Sequence, residues 1–368
     1  MSNPKISSDF FHNLILRGNK ELLNSFSPSV NEHFIGSDIF FSIVENSEHH
    51  RINKRITNFI FNNVPLNSCA CGFVKNTSYY DFLSPHISGY YFLRLDIKKF
   101  FHSFKIKYIE LLLESFFSKE KDGFTYSPYD IALLSVSHTV SDEFEDFDLR
   151  GNNILPMGFP SSPVISNIIF RKIDILIQKY CENKKIIYTR YADDMLFSSF
   201  DTNYIHSDEF EREISVLISL LSLKLNKNKK RVCKNTISLN GYTIQNEKPN
   251  STLFFSSYKE EPVGSIRLSN KKLKIIIKMI YLLERNIEPN VIMKKLFNIN
   301  FHCYKFKYRC NQRGFFIKYV DHQLQNKIKG YRSYLISLIT YNNKIQCVTD
   351  ENIKKYSHLV DKLNKYIK

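Results

Sequence analysis

The stretch Tyr188-Thr189-Arg190-Tyr191-Ala192-Asp193-Asp194-Met195-Leu196-Phe197 decides how this chain is read. Two β-rich runs, Lys185–Thr189 and Met195–Ser199, flank Arg190–Asp194 and predict a hairpin with its acidic turn exposed. Adjacent like charges on a tight turn repel, and burying them among apolar neighbours is expensive. A bound dication removes that penalty. A third carboxylate has similar surroundings. Asp96 ends the run Phe92-Leu93-Arg94-Leu95, within a buried strand predicted over Tyr90–Ile97. A strand-end Asp facing an Asp-Asp hairpin is the arrangement needed to hold two Mg²⁺ ions roughly 3.5–4 Å apart. Mg²⁺ takes few protein oxygens and keeps places for water and substrate phosphates. One ion then activates a 3′-hydroxyl while the other steadies a leaving pyrophosphate. The competing reading is an ordinary hairpin, because Asp favours turns in any protein. The flanking segments decide between the two.

Outward from the hairpin, the patterns predict an α/β centre followed by a helical, basic C-terminal region. Residues 1 to about 75 read as mostly helical, with Ile52, Ile56, Phe59 and Ile60 at helical spacing in Arg51–Phe61. A helix is expected through Tyr108–Phe117, then a turn-rich stretch over 120–152. That stretch carries Asp142, Glu143, Glu145, Asp146 and Asp148, read as a solvated loop. Pro160-Ser161-Ser162-Pro163 opens a helix running to about Tyr180, with Ser162 as cap and Pro163 in its first turn. Another helix is predicted over Asp208–Leu223, and short strands around Thr236–Gln245 and Thr252–Arg267. Ser269 or Asn270 then caps a helix from Lys271, where Leu273, Ile276, Ile277, Ile280 and Leu283 form an apolar stripe with lysines opposite.

The chain has 368 residues, 43% hydrophobic and 24% charged, which excludes a disordered or fibrous protein. No run of eighteen apolar residues occurs, so no membrane span is expected. Seven scattered cysteines do not make a disulfide framework and point to a reducing, cytoplasmic compartment. Cys69-Ala70-Cys71 and His302-Cys303 with Cys310 are incomplete as zinc sites, and no structural zinc is expected. The net charge of +16 favours a polyanionic partner. Most of the surplus lies in 271–332, with fifteen Lys and Arg against three acids. Aromatic residues interleave there, and cations with aromatic faces suit phosphates and bases. Lys271, Lys272, Lys274, Lys278, Lys305, Lys307, Arg309 and Arg313 are the candidate RNA contacts. The plainer reading is a solvated basic domain with an aromatic core.

In ordered segments over roughly residues 65 to 345, the chain resembles bacterial reverse transcriptases of the compact retron-like and defence-associated group. The segments are Asp96-Ile97-Lys98-Lys99-Phe100-Phe101, Leu155-Pro156-Met157-Gly158-Phe159-Pro160-Ser161-Ser162-Pro163, and Tyr188 to Asp194. After them come Leu223-Lys224-Leu225-Asn226-Lys227-Asn228-Lys229, Leu239 to Ile244, and Lys329 to Leu335. Gly72-Phe73 and Ser84-Pro85-His86-Ile87 also echo retron-type sequences. The resemblance implies an α+β, right-hand polymerase fold. Fingers would take 1–90 with part of 100–165, the palm with its small antiparallel sheet 91–264 and the helical, RNA-binding thumb 265–368. It implies catalysis by Asp96, Asp193, Asp194 and Lys229, with Lys229 assisting the leaving pyrophosphate. Two Mg²⁺ ions would be held by Asp96, Ile97, Asp193 and Asp194. Substrate contacts would come from Ile97, Phe101, Met157, Gly158, Pro160, Ser161 and Tyr191. An aromatic ring five residues after Asp96 sits under the sugar in this family and argues for deoxynucleotides. Gly158 lets backbone approach a nucleotide, and the Pro-Ser-Ser-Pro helix start offers N–H groups and hydroxyls to a template phosphate.

The function so implied is RNA-directed DNA synthesis on a dedicated structured noncoding RNA, in a bacterial cytoplasm, as part of antiphage defence. Its partners would be that RNA as template and primer, dNTPs, the DNA product, and a second defence protein or another copy of the chain, without a membrane. Two departures keep other readings open. Met157 stands where the family has Gln, which motivates template-independent or protein-primed synthesis on the same fold. The segment Asp38–Ile43 is apolar where the family grips the triphosphate with basic residues, leaving Arg51, Lys54 or Arg55 as substitutes. A non-catalytic RNA-binding scaffold is the reading from another class.

Overall fold

The structure, a computed structural model, describes residues 5–35, 38–143, 149–247, 264–301 and 313–367. The chain divides into two compact units. One comprises Met1–Phe82 and Tyr91–Val232, the other Leu83–Tyr90 and Cys233–Lys368.

In the first unit, short helical segments over Ser8–Phe10, Phe11–Ile15 and Leu22–Ser25 precede an antiparallel hairpin of β1 (Val30–Ile35) and β2 (Asp38–Ile43). This hairpin corrects the expectation of a mostly helical N-terminal region. Its second strand is β-branched and aromatic, and its alternate residues Phe41 and Ile43 are buried, as a pleated strand requires. Helix α1 (Glu48–Phe59) follows, its start fixed by Ser47, whose hydroxyl accepts from the His50 N–H. Then come β3 (Tyr91–Asp96), α2 (Ile106–Phe116) and α3 (Pro128–Val136). Helix α3 interrupts the stretch expected to be turns. Its signal was present in Ser127-Pro128-Tyr129-Asp130, which forms a capping box with Pro in the first turn. Of the acidic cluster, Asp142 and Glu143 are exposed, while Glu145, Asp146 and Asp148 lie outside the described residues.

Helix α4 (Ser162–Glu182) leads into β4 (Ile187–Tyr191), β5 (Asp194–Ser199) and α5 (Asp208–Ser219). The cap of α4 is Ser161, not Ser162, and its side chain makes no capping bond. In the central sheet β5 lies between β4 and β3, antiparallel to both. Every residue of β5 is buried, so this strand is covered on both faces. Leu93, Leu95, Met195 and Phe197 enter the core with Phe170, Ile173 and Ile177 of α4. That burial fixes the register, because a slip of one residue would reverse which side chains face the core.

The second unit contains an antiparallel sheet in the order β8–β7–β6, formed by β6 (Thr236–Leu239), β7 (Tyr242–Gln245) and β8 (Ser265–Leu268). Asn240 and Gly241, both at positive φ, make the two-residue turn between β6 and β7. The expected strand over Thr252–Arg267 begins only at Ser265 among the described residues, and 252–263 lie outside them. Helices α6 (Asn270–Glu284), α7 (Pro289–Phe297), α8 (Arg313–Asn342) and α9 (Asp350–Asn364) complete this unit. Ser269 caps α6 by accepting from the Lys272 N–H. Tyr242 stacks on Tyr334 with ring centroids 4.6 Å apart, and the Leu268 N–H donates to the Tyr356 hydroxyl. No helix among the described residues is long and apolar enough to cross a membrane.

Candidate active site

Asp96 and Asp194 meet because β3 and β5 pair in one register, which sets the two residues directly opposite each other. The β4–β5 turn is shorter than the sequence suggests: it consists of Ala192 and Asp193, with Ala192 at φ +55. The Ile97 N–H donates to the Asp193 carbonyl at 3.0 Å, and the Asn226 N–H donates to the Asp96 carbonyl at 2.7 Å. The segment after α5 thereby brings Lys229 alongside. Its ammonium donates to Asp96 Oδ2 at 2.9 Å. Asp96, Asp193, Asp194 and Lys229 thus form one group, with the Ile97 backbone at its edge.

The acidic turn is not exposed as expected. Asp96 and Asp194 are buried and Asp193 is half-buried. Burial, followed by the charges of Asp194 and Asp96, pushes the Asp193 carboxyl up to about 6. Burial also raises Asp194, outweighing the opposing pull of Arg94. Lys229 is raised by its hydrogen bond to Asp96. Arg94 Nε donates to Asp194 Oδ1 at 2.8 Å. Each of the two buried acids therefore carries a protein cation. Among the described residues no three acidic, histidine or cysteine side chains stand close enough to enclose a metal as they are. Like charges part, and Lys229 and Arg94 draw two of the carboxylates toward themselves. Asp96 Oδ1 is nevertheless buried without a hydrogen-bond partner. An orphaned carboxylate oxygen beside two more carboxylates is a donor set that suits a hard dication with oxygen preference. The residues present fit Mg²⁺.

The hairpin is braced from beneath. Arg190, fully buried, donates from Nε and Nη2 to the two carboxylate oxygens of Asp174 on α4, at 2.9 and 2.7 Å. Its Nη1 donates to the Ala192 carbonyl at 3.0 Å, inside the acidic turn. The Tyr188 hydroxyl donates to the same Asp174 at 2.9 Å. Burial works against charge on Arg190, but the facing Asp174 more than offsets it and holds the guanidinium above its usual range. Neither Arg94 nor Asp174 was singled out from the sequence. Arg94 carried a signal, since its position two before Asp96 places both on one face of β3. Asp174 carried another, as an acid within the buried run Phe170, Ile173 and Ile177 of one helix.

The other candidate substrate residues are placed as follows. Phe101 and Tyr191 are half-buried rings. The Met157 carbonyl accepts from the Phe41 N–H at 2.8 Å, and the Met157 N–H donates to His102 Nε2 at 3.2 Å. Gly158, exposed and at φ +115, lies against β2, where a side chain would strike the Phe41 carbonyl. Its backbone freedom thus serves a close approach within the protein. Pro160 is half-buried. The hydroxyls of the Pro-Ser-Ser-Pro start point inward, contrary to the expectation that they are offered to a phosphate. Ser161 accepts from Asn53 Nδ2 at 2.9 Å, and Ser162 donates to the Pro156 carbonyl at 2.6 Å; both residues are fully buried. Arg55 Nη1 donates to the Ile15 carbonyl and Arg51 pairs with Glu48, so two of the three basic substitutes have internal partners.

In the second unit Lys271, Lys274 and Lys278 are exposed along one face of α6. Lys272 lies instead over the rings of Tyr331 and Tyr334, at 5.7 and 5.8 Å. Lys305, Lys307 and Arg309 lie outside the described residues, and Arg313 begins α8.

A family model described as reverse transcriptase (RNA-dependent DNA polymerase) matches residues 44–244, more than half of the chain. The chain is similar to the retron Ec73 reverse transcriptase of Escherichia coli, with 32% identity over 150 residues, 39% of this chain and 44% of that protein. It is 30% identical over 128 residues to the retron Ec86 reverse transcriptase of the same organism, covering 35% of this chain and 34% of that one. To the retron Mx65 reverse transcriptase of Myxococcus xanthus it is 28% identical over 157 residues, 41% of this chain and 35% of that one. The matched segments therefore span less than half the length of each of these relatives. A solved structure of telomerase from Candida albicans in complex with a fragment of telomeric RNA overlays 97% of this chain and 65% of its own, at TM-score 0.42 and 10% identity. The family match agrees with the α+β, right-hand polymerase class expected from the sequence.

Proposed function

Because this chain belongs to the reverse-transcriptase family, we propose that it synthesises DNA on an RNA template, using the acidic group of β3 and the β4–β5 turn. The observation that carries this reading is Asp96 set opposite Asp194 across paired strands, with a partnerless buried oxygen on Asp96. Asp96, Asp193 and Asp194 would hold Mg²⁺, with the Ile97 carbonyl at the edge. Bound there, the ions supply charge stabilisation at the attacking and leaving oxygens. The chain's own residues do the positioning. Arg190 fixes the turn from below. Arg94 and Lys229 neutralise the acids until substrate binds, and Lys229 then has a free ammonium to set against a leaving pyrophosphate. Phe101 offers a ring where a 2′-hydroxyl would otherwise fit.

The finer reading extends this to a structured noncoding RNA as template and primer, in antiphage defence. Its support is the retron-type order of motifs and the similarity to three retron enzymes. The exposed Lys271, Lys274 and Lys278 suit RNA phosphates in a domain plan of fingers, palm and thumb. The test is Mg²⁺-dependent incorporation of labelled dNTPs by the protein with its copurified RNA. Incorporation should be abolished by RNase pretreatment and by the Asp193→Ala/Asp194→Ala double variant. Retained incorporation in that variant would refute the site.

A further inference from the structure

Phe73 presents an apolar ring to solvent, half exposed, beside the acidic site. A single exposed phenylalanine ordinarily needs no explanation. This one is held in place at a cost. Its backbone sits at φ +58, a left-handed region that bulky side chains rarely adopt. The residue before it is pinned to the catalytic turn. A side chain on Gly72 would come within 2.6 Å of the Ala192 nitrogen, so only glycine lets the segment lie this close. The Cys71 N–H donates to the Arg190 carbonyl at 2.7 Å, and Asn167 Nδ2 donates to the Gly72 carbonyl at 2.8 Å. Beyond Phe73, the Thr77 hydroxyl bonds back to the Cys71 and Val74 carbonyls, both at 2.8 Å. The loop is tied down on both sides of the ring it presents.

The neighbours of the ring identify what it meets. Its centroid lies 6.5 Å from that of Phe101 and 6.0 Å from that of Tyr191. Tyr191 stands directly opposite Asp194 in the β4–β5 pairing, so the three rings form one aromatic wall next to the acidic group. A wall with one half-exposed member has room for a flat or weakly polar moiety, and carbon faces of a sugar ring pack well on aromatic rings.

We propose that Phe73 joins Phe101 in the seat for the sugar of the incoming deoxynucleotide, and that it backs Phe101 against a 2′-hydroxyl. The proposal rests on the polymerase reading above and adds a residue to it. It is tested by steady-state kinetics of the full chain with its RNA, in wild type, Phe73→Ala and Phe73→Leu. Phe73→Ala should raise KM for dNTPs on the order of ten-fold, the scale of losing one stacking contact, while kcat stays within about two-fold. Its preference for dNTPs over rNTPs should narrow by a similar factor. Phe73→Leu, which keeps an apolar side chain, should recover most of the KM. Thermal unfolding and RNA retention are measured in parallel, so that a variant losing structure is recognised by a fall in all three quantities. In that event the Phe73→Leu and Phe73→Tyr variants decide by the same KM and sugar-preference criteria. Unchanged KM for dNTPs, or unchanged sugar preference, in a folded variant overturns the proposal. Absence of any incorporation by wild type would instead refute the polymerase reading.

Discussion

The acidic hairpin and the outer face of α6 both rest on charge, and they use it in opposite ways. Beneath the hairpin, Arg190 and Asp174 are fully buried, and Arg190 directs its donors at the Asp174 oxygens and the Ala192 carbonyl. On α6, Lys271, Lys274 and Lys278 stand in water with their ammonium groups outward. A buried ion pair contributes little net stability over a hydrophobic substitute, but it punishes the loss of one partner severely. Exposed cations contribute almost nothing to stability, yet they act over distances set by salt and can neutralise phosphates. The first arrangement specifies a geometry and the second an affinity.

The largest effect expected from this contrast is at Arg190. Arg190→Met leaves the Asp174 carboxylate buried without its charge partner, with only the Tyr188 hydroxyl still donating to it, and frees the Ala192 carbonyl. Stability to urea should fall by about 3–5 kcal/mol. Replacing both partners, as Arg190→Met with Asp174→Leu, should recover much of that stability while incorporation stays impaired, because the Ala192 carbonyl then lacks the guanidinium that fixes it from below. If the double variant proves as active as wild type, the pair does not position the turn.

At α6 the expected signature is the reverse. Lys271→Gln, Lys274→Gln and Lys278→Gln together should leave urea stability within about 0.5 kcal/mol of wild type. RNA affinity should fall, and the slope of log K against log salt should become shallower by about 2, given roughly 0.7 per lost contact on single strands. An unchanged slope would remove this face from the RNA interface. Lys272→Gln should have a smaller effect on the slope, since its ammonium lies over two tyrosine rings.

The same contrast explains what the sequence disclosed. The strand of Asp96, the hairpin of Asp193 and Asp194, and helices α4, α5 and α6 were legible because each has an unbroken apolar period bounded by turn or cap residues. The exposed lysines of α6 were legible because i, i+3 and i+7 spacing places them on one face. The depth of the acidic turn was not legible. It depends on Gly72, Asn167 and Arg190, which are far apart in sequence and converge only in the fold. The inward-turned hydroxyl of Ser161 was not legible for the same reason, since Asn53 comes from a different helix, whereas Ser162 turns inward to the nearby Pro156 carbonyl. The β1–β2 hairpin was missed because Val30–Ile43 mixes polar and aromatic residues without clean alternation, and a partner strand supplies what the pattern lacks.

The smallest expected effect sharpens the boundary between the two uses of charge, because Asp193 is neither fully buried nor free. Its carboxyl is pushed up to about 6, first by burial and then by Asp194 and Asp96. A folded-state value above the unfolded one means that the folded protein binds this proton more tightly. The associated stability is therefore complete below about 4, near the unfolded value, and is lost as pH rises through about 6. A dication binds the deprotonated form, so it should restore at neutral pH what deprotonation removes. The rise in melting temperature on adding Mg²⁺ should accordingly be larger at pH 7.5 than at pH 5, and Asp193→Asn should reduce that pH dependence. An Mg²⁺ shift of equal size at both pH values, or one unaffected by Asp193→Asn, would mean that the stabilising ion sits elsewhere and that the weakened acidity of Asp193 has no part in holding it.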